Sequence, residues 1–201
     1  MTARELRIWK ALRPEDARRW LEGLAVPWWI AGGWAVDLFA DRETRTHADL
    51  DVGCFRADLP RVAEALRGFE LHAARDGRLA PLAPGEIPEP EVHTLWCRPA
   101  AEDEWWLEIM LDEREGSDWV FRRNPRVRRP ARDLVERDPR GLAYLRPEVQ
   151  LLYKAKAPRP RDEEDFRTVA PLLGQEARAW LRDALERMHP GHPWLAALRG
   201  R

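Results

Sequence analysis

Apolar residues recur at helical spacing over residues 13–24, where Ala17, Trp20, Leu21 and Leu24 follow Pro14. Proline suits the first turn of a helix, where its missing N–H would have no partner anyway. Pro27 breaks the pattern, and Trp28-Trp29-Ile30-Ala31 is a short apolar run ending at Gly32-Gly33. That run predicts a buried strand entering a tight turn, with a helix over 34–39. Polar and apolar residues alternate over 49–55, as in a strand, and 58–66 returns to helical spacing with Asp58 placed as an N-cap.

Glycine, proline and charge dominate 75–91 without periodicity, which predicts a loop of a length often given to specificity. Three β-like runs follow at 93–98, 105–112 and 119–123, the last two joined as an antiparallel hairpin by a turn at 113–116. The Pro/Arg-rich stretch 124–140 reads as a linker, and helical patterns follow at 147–157, 162–173 and 176–188. These elements predict an α+β fold with a core over residues 1–130 and a helical C-terminal subdomain over 140–201.

Composition narrows the partners. A chain of 201 residues, 44% hydrophobic, can bury one sizeable core or a core plus a small appended subdomain. Lys+Arg 34 against Asp+Glu 35 gives a net charge of -1. No global field attracts a polyanion, so a nucleic-acid partner is disfavoured, although 122–132 is locally basic. Cys54 and Cys97 are too few for a disulfide framework or a zinc site and are expected as reduced, buried thiols. The charged N-terminus lacks the apolar run of a signal peptide, and no segment approaches the roughly 20 apolar residues of a membrane span, so a soluble cytoplasmic protein is expected.

Asp49 and Asp51 carry the strongest chemical signal. Two carboxylates at i and i+2 on a strand face the same side, within reach of a shared hard cation such as magnesium. Alone, such a pair is more often a solvated edge. Upstream, Gly32-Gly33 ends an apolar strand where a helix begins, and glycines there let backbone N–H groups approach a polyphosphate. Alone, that is a plain strand-to-helix turn. Together the two features are complementary, one cradling phosphate and the other holding the cation that bridges its oxygens.

The segment GGWAVDLFADRETRTHADLDV resembles the aminoglycoside 2″-adenylyltransferase and lincosamide nucleotidyltransferase branch of the polymerase-beta-like nucleotidyltransferase superfamily. The resemblance joins Gly32-Gly33-Trp34-Ala35, Thr44-Arg45 and His47-Ala48-Asp49-Leu50-Asp51 in the family's order and spacing. Residues 147–166 are similar to its helical tail, and the likeness is weakest across 75–101.

The resemblance implies a nucleotidyltransferase fold, with a mixed, mostly antiparallel sheet flanked by helices and a small helical C-terminal region. It implies transfer of a nucleoside monophosphate, AMP first, from an NTP such as ATP to a hydroxyl of a small molecule, an aminoglycoside or lincosamide among the candidates. It also implies two Mg2+ ions and a third carboxylate on a neighbouring strand. Glu108 is the choice, flanked by Leu107 and Ile109 where burial without a partner would be costly, whereas Asp112 begins the charged turn and reads as solvated. Asp49, Asp51 and Glu108 are then the metal ligands, with Glu108 binding the second metal, acting as general base, or both.

Arg45 is a candidate phosphate contact beside Gly32 and Gly33, and His47 packs or hydrogen-bonds the turn before Asp49. Lys10, Lys154 and Lys156 are the only lysines in an arginine-biased chain, which marks Lys156, with Lys154, as a phosphate contact. Asp162 and Glu163 read as dipole-complementary charges at a helix start. Most of the 11 tryptophans read as core, with one or two open for an acceptor pocket. Glu86, Glu89, Glu91, Glu102, Asp103 and Glu104 form either an acidic pocket for a polycation or a solvated loop. The alternative function is a nucleotide-binding module of the toxin–antitoxin type, acting on a protein or RNA partner; a complete carboxylate triad argues against it.

Overall fold

The computed structural model describes residues 8–199; residues 1–7 of the charged N-terminus lie outside the described part. Helix α1 (Pro14–Leu21) opens on its proline, and the Asp16 carboxylate accepts from the Arg13 N–H at 2.9 Å, satisfying a donor that a helix start leaves open. Strand β1 (Trp28–Ile30) feeds α2 (Gly32–Ala40), which begins at Gly32, ahead of the expected start at Trp34. Strand β2 (Asp51–Phe55) begins at the second aspartate, so Asp49 stands on the approach to the strand and the two aspartates do not share it. Helix α3 (Leu59–Ala65) is not capped by the Asp58 side chain. A 3-10 turn at Arg56–Asp58 runs straight into it, and the Arg56 carbonyl takes the Leu59 N–H instead.

The expected loop over 75–91 is partly a hairpin. Strands β3 (Phe69–Arg75) and β4 (Arg78–Pro81) pair around Asp76 and Gly77, at φ 50° and 71°, and two left-handed residues suit the twist of a two-residue hairpin. After β5 (Thr94–Pro99), strand β6 (Leu107–Glu115) runs through most of the expected 113–116 turn, and the reversal falls at Gly116-Ser117 before β7 (Asp118–Val120). The stretch read as a linker carries β8 (Arg128–Pro130) and β9 (Val135–Arg137), followed by β10 (Ala143–Leu145). Four helices complete the chain: α4 (Pro147–Lys154), α5 (Pro160–Val169), α6 (Gln175–Met188) and α7 (Trp194–Arg199), the last without a counterpart in the sequence pattern.

The main path of the ten-stranded sheet runs β4-β3-β5-β6-β2-β1-β10-β9, with β7 and β8 paired onward from β6. It is mixed and mostly antiparallel; β2 with β6 and β1 with β10 are the parallel pairs. Along β6, Leu107, Ile109 and Leu111 are fully buried and join Val52, Cys54 and Leu95 in the core. Alternation therefore turns Glu108 and Met110 to the other face. Cys54 and Cys97 are buried and unpaired. Among the described residues, no helix is long and apolar enough to cross a membrane.

Candidate active site

The two parallel strands at the sheet centre place the carboxylates. Asp51 and Glu108 are register partners across β2 and β6, fixed by the Glu108 N–H donating to the Leu50 carbonyl at 3.0 Å. The Ala31 N–H donates to the Asp51 carbonyl at 2.9 Å, so β1 fixes the same residue from the other side. Carboxylate oxygens of Asp49, Asp51 and Glu108 lie within 4.8 Å of one another. Among the described residues, none of these three side chains accepts a hydrogen bond or pairs with a cation.

Burial, then the neighbouring Asp49 charge, pushes Asp51 up to about 7 from its ordinary 3.8. Burial, then Asp51 and Asp49, pushes Glu108 up to about 8 from 4.5. Crowded, half-buried carboxylates without protein donors suit a hard divalent cation, which takes oxygen ligands and supplies the missing positive charge.

The glycine pair is required by this crowding. Gly32 has φ 65°, and its N–H donates to Gln150 Oε1 at 2.8 Å. A Cβ on Gly33 would meet Arg45 Nη2 at 2.3 Å and His47 Nδ1 at 2.5 Å. His47 itself is buried, bonded to Asp37 Oδ2 at 2.5 Å and packed on the Trp34 ring at 4.3 Å. Asp37 also accepts from the Thr44 N–H and hydroxyl. Despite burial, these bonds from His47 and Thr44 hold Asp37 below the ordinary carboxylate value. His47 thus braces the turn that presents Asp49.

All of the residues nominated from sequence, Gly32, Gly33, Arg45, Asp49, Asp51, Glu108, Lys154 and Lys156, line one cavity of about 290 Å³. Their surroundings differ. Lys154 is nearly buried and forms ion pairs with Asp162 at 3.0 Å and Asp165 at 2.8 Å, while Arg45 donates to Asp165 at 3.3 Å. Lys156 is exposed and has no ion pair among the described residues.

Asp162 does more than complement a helix dipole. It accepts from the Arg159 N–H at 3.0 Å and from Arg159 Nε at 2.8 Å. Against its burial, these bonds and Lys154 hold its carboxyl well below the ordinary value.

The cavity also takes Arg159, Arg161, Gln150, Met110, Arg122, Arg123 and Tyr153. Arg159 and Arg161 sit in the basic run beside the lysines, a signal visible in the sequence; Gln150 had none. Asp112, expected in solvent, is 3% exposed and accepts from Trp119 Nε1 at 2.8 Å and the Tyr153 hydroxyl at 2.5 Å. Tyr153 is the one aromatic lining the cavity among the described residues, and no tryptophan does. The six loop acids lie elsewhere: Glu86 borders a separate groove by α3 and β3, and Glu91 stands 3.8 Å from Arg75.

Residues 16–167 match the family model described as aminoglycoside-2''-adenylyltransferase. A 2''-aminoglycoside nucleotidyltransferase of Escherichia coli is 35% identical over 104 residues, covering 50% of this chain and 49% of that protein. One of Klebsiella pneumoniae is 36% identical over 86 residues, covering 41% and 42%. The chain thus spans about half the length of the curated relatives it matches.

Two solved structures share the fold. Lincomycin-bound LnuA, a lincosamide antibiotic adenylyltransferase, superposes with a TM-score of 0.55 at 17% identity, over 86% of this chain and 99% of that one. ANT(2")-Ia in complex with adenylyl-2"-tobramycin gives 0.57 at 14% identity, over 87% and 95%.

Proposed function

The chain belongs to the aminoglycoside-2''-adenylyltransferase family, and from that premise we propose that it transfers AMP from ATP to a hydroxyl of a small molecule. The observation carrying this reading is the convergence of the Asp49, Asp51 and Glu108 carboxylates, without side-chain partners among the described residues, in a cavity also lined by Gly32-Gly33 and exposed cations. The same family membership disfavours a binding module of the toxin–antitoxin type. A cytoplasmic setting, where ATP and magnesium are abundant, is part of the proposal.

The three carboxylates fit divalent metal by their donor chemistry, and two Mg2+ ions would be held by Asp49, Asp51 and Glu108. When bound, magnesium neutralises the triphosphate and orients its α-phosphorus. The chain's own residues do the rest. Lys156, Arg159 and Arg161 hold phosphate charge at the α4–α5 turn, Gly32 and Gly33 leave room for Asp51 and for Arg45 beside it, and Arg45 steadies that wall through Asp165. Glu108 accepts the proton of the acceptor hydroxyl as its oxygen bonds to the α-phosphorus, while the bond to the bridging oxygen breaks and pyrophosphate leaves. Positioning and fixed charge supply most of the rate, as in phosphoryl transfer generally.

The test is incubation of the purified chain with each NTP, magnesium and a panel of hydroxyl-bearing antibiotics, reading acceptor masses. An added AMP on one acceptor, lost in Asp51→Asn, is expected. An acceptor that gains phosphate alone would reassign the reaction, and absence of any magnesium-dependent NTP binding would remove it.

A further inference from the structure

Gln150 stands on α4 between Val149 and Leu151, both fully buried, and is itself 5% exposed. A side-chain amide so placed is costly unless its hydrogen-bonding groups are matched. Half of it is matched. The Gly32 N–H, 118 residues away along the chain, donates to Oε1 at 2.8 Å. A backbone N–H can only donate, so the amide oxygen must face it and Nε2 is the end left over.

Gln150 also lines the cavity, yet among the described residues its Nε2 has no acceptor. The carboxylates of Asp49, Asp51 and Glu108 line the same cavity and take no hydrogen bond from it, although Gly32, which Oε1 holds, lies against Asp51. A donor without an acceptor thus stands beside acids without a donor, and the two are not bonded to each other. A cation answers the acids and an oxyanion answers the amide. A metal-bound phosphate brings both.

The first turn of α2 adds to this. Its Gly32 N–H is spent on Oε1, and the N–H groups of Gly33 and Trp34 have no acceptor among the described residues; Ala35 is the first to donate back, to the Ala31 carbonyl at 3.2 Å. An amide that accepts at its oxygen is a stronger donor at its nitrogen, because each bond polarises the next. Gln150 therefore passes on to the cavity the donor that Gly32 gives up.

We propose that Gln150 is a nucleotide-binding residue whose Nε2 donates to a non-bridging oxygen of the triphosphate while Oε1 keeps Gly32 in its left-handed conformation. The proposal rests on the nucleotidyl-transfer reading and adds to it a buried, neutral donor, where the α4–α5 turn supplies charged ones.

The test follows the side-chain amide signal of Gln150 by NMR in the isotope-labelled full chain, starting from the magnesium-loaded protein. Binding of α,β-methylene-ATP, which cannot release pyrophosphate, is expected to shift the Nε2 protons downfield and slow their exchange with water. Inorganic tripolyphosphate should do the same. By calorimetry, Gln150→Met should bind the analogue about tenfold more weakly than wild type, the scale of one hydrogen bond to a charged group. Gln150→Glu, which still offers an oxygen to Gly32, should not recover the loss. An amide signal unmoved by the analogue, or moved by it and not by tripolyphosphate, overturns the proposal. Wild-type affinity in either variant overturns it as well, and in Gln150→Glu would leave the hold on Gly32 as the whole role. Should Gln150→Met fail to fold, the wild-type amide signal decides. Failure of wild type to bind the analogue with magnesium would instead overturn the reading on which the proposal rests.

Discussion

A Cβ on Gly32 would stand 1.6 Å from Oδ2 of Asp51, so the backbone cradle and the carboxylate site share one space. Gly32→Ala is therefore expected to destabilise the fold by more than about 1 kcal/mol, since φ is positive there and the new methyl displaces Asp51. It should also lose magnesium-dependent ATP binding. Adding Asp51→Ala to Gly32→Ala should recover part of the stability, read by urea unfolding, and none of the turnover. Strictly additive losses in that double-mutant cycle would show that the two positions do not meet.

The crowded acids give the metal-free protein a pH signature. Asp51 and Glu108 have folded values near 7 and 8, above the 3.8 and 4.5 of free side chains. Their protonated forms favour the fold, so that contribution is complete below about pH 4 and is lost as pH rises through 7 to 8. In EDTA, the melting temperature of wild type is expected to fall across this window relative to the Asp51→Asn/Glu108→Gln variant. Magnesium should raise it more at pH 8 than at pH 5, because ligation requires deprotonated acids. A metal-free melting temperature that rises relative to the variant over the same window would contradict the site's electrostatics.

Lys154 and Lys156 are two residues apart and are expected to behave oppositely. Lys154→Met takes one cation from Asp162 and Asp165, both buried, while Arg159 and Arg45 still reach them, and should cost about 1–3 kcal/mol by chemical denaturation. Lys156→Ala should leave stability nearly unchanged and weaken ATP about tenfold, the scale of one charge-assisted hydrogen bond, with a smaller effect on AMP. Equal weakening of both nucleotides would move Lys156 away from the terminal phosphates.

Tyr153→Phe removes one of the two donors to buried Asp112, and a loss of about 1–3 kcal/mol is expected by thermal unfolding. Asp112→Asn in the same background should recover part of it, because an amide carries no charge to strand. A silent Tyr153→Phe would mean that water reaches Asp112.

Where the determinants were local, the sequence was legible. The apolar run into Gly32-Gly33, the i, i+2 aspartates and a glutamate between Leu107 and Ile109 each carry their reason within a few residues, and the structure gathers them in one cavity. Asp112 was misread because its donors come from Trp119 and Tyr153, the second 41 residues away, and nothing beside it announces them. Asp162 read as a dipole effect because its partner Lys154 belongs to the preceding helix. The β3–β4 hairpin did have a local signal, Asp76-Gly77, hidden by the charged residues around it. Strands β8 and β9 are three residues each, too short for any periodicity, and they pair by tertiary context alone.

The parallel pairing of Ile30 in β1 with Tyr144 in β10 also sets an order in time. β1 acquires this neighbour only after every residue between Ile30 and Tyr144 has been made. Gln150, which takes the Gly32 N–H, emerges later still. Contacts so distant along the chain slow folding, because loop closure precedes any gain from pairing. Nascent β1 therefore presents an open edge while those residues are made, and the cavity gains its basic wall only once the α4–α5 turn has followed.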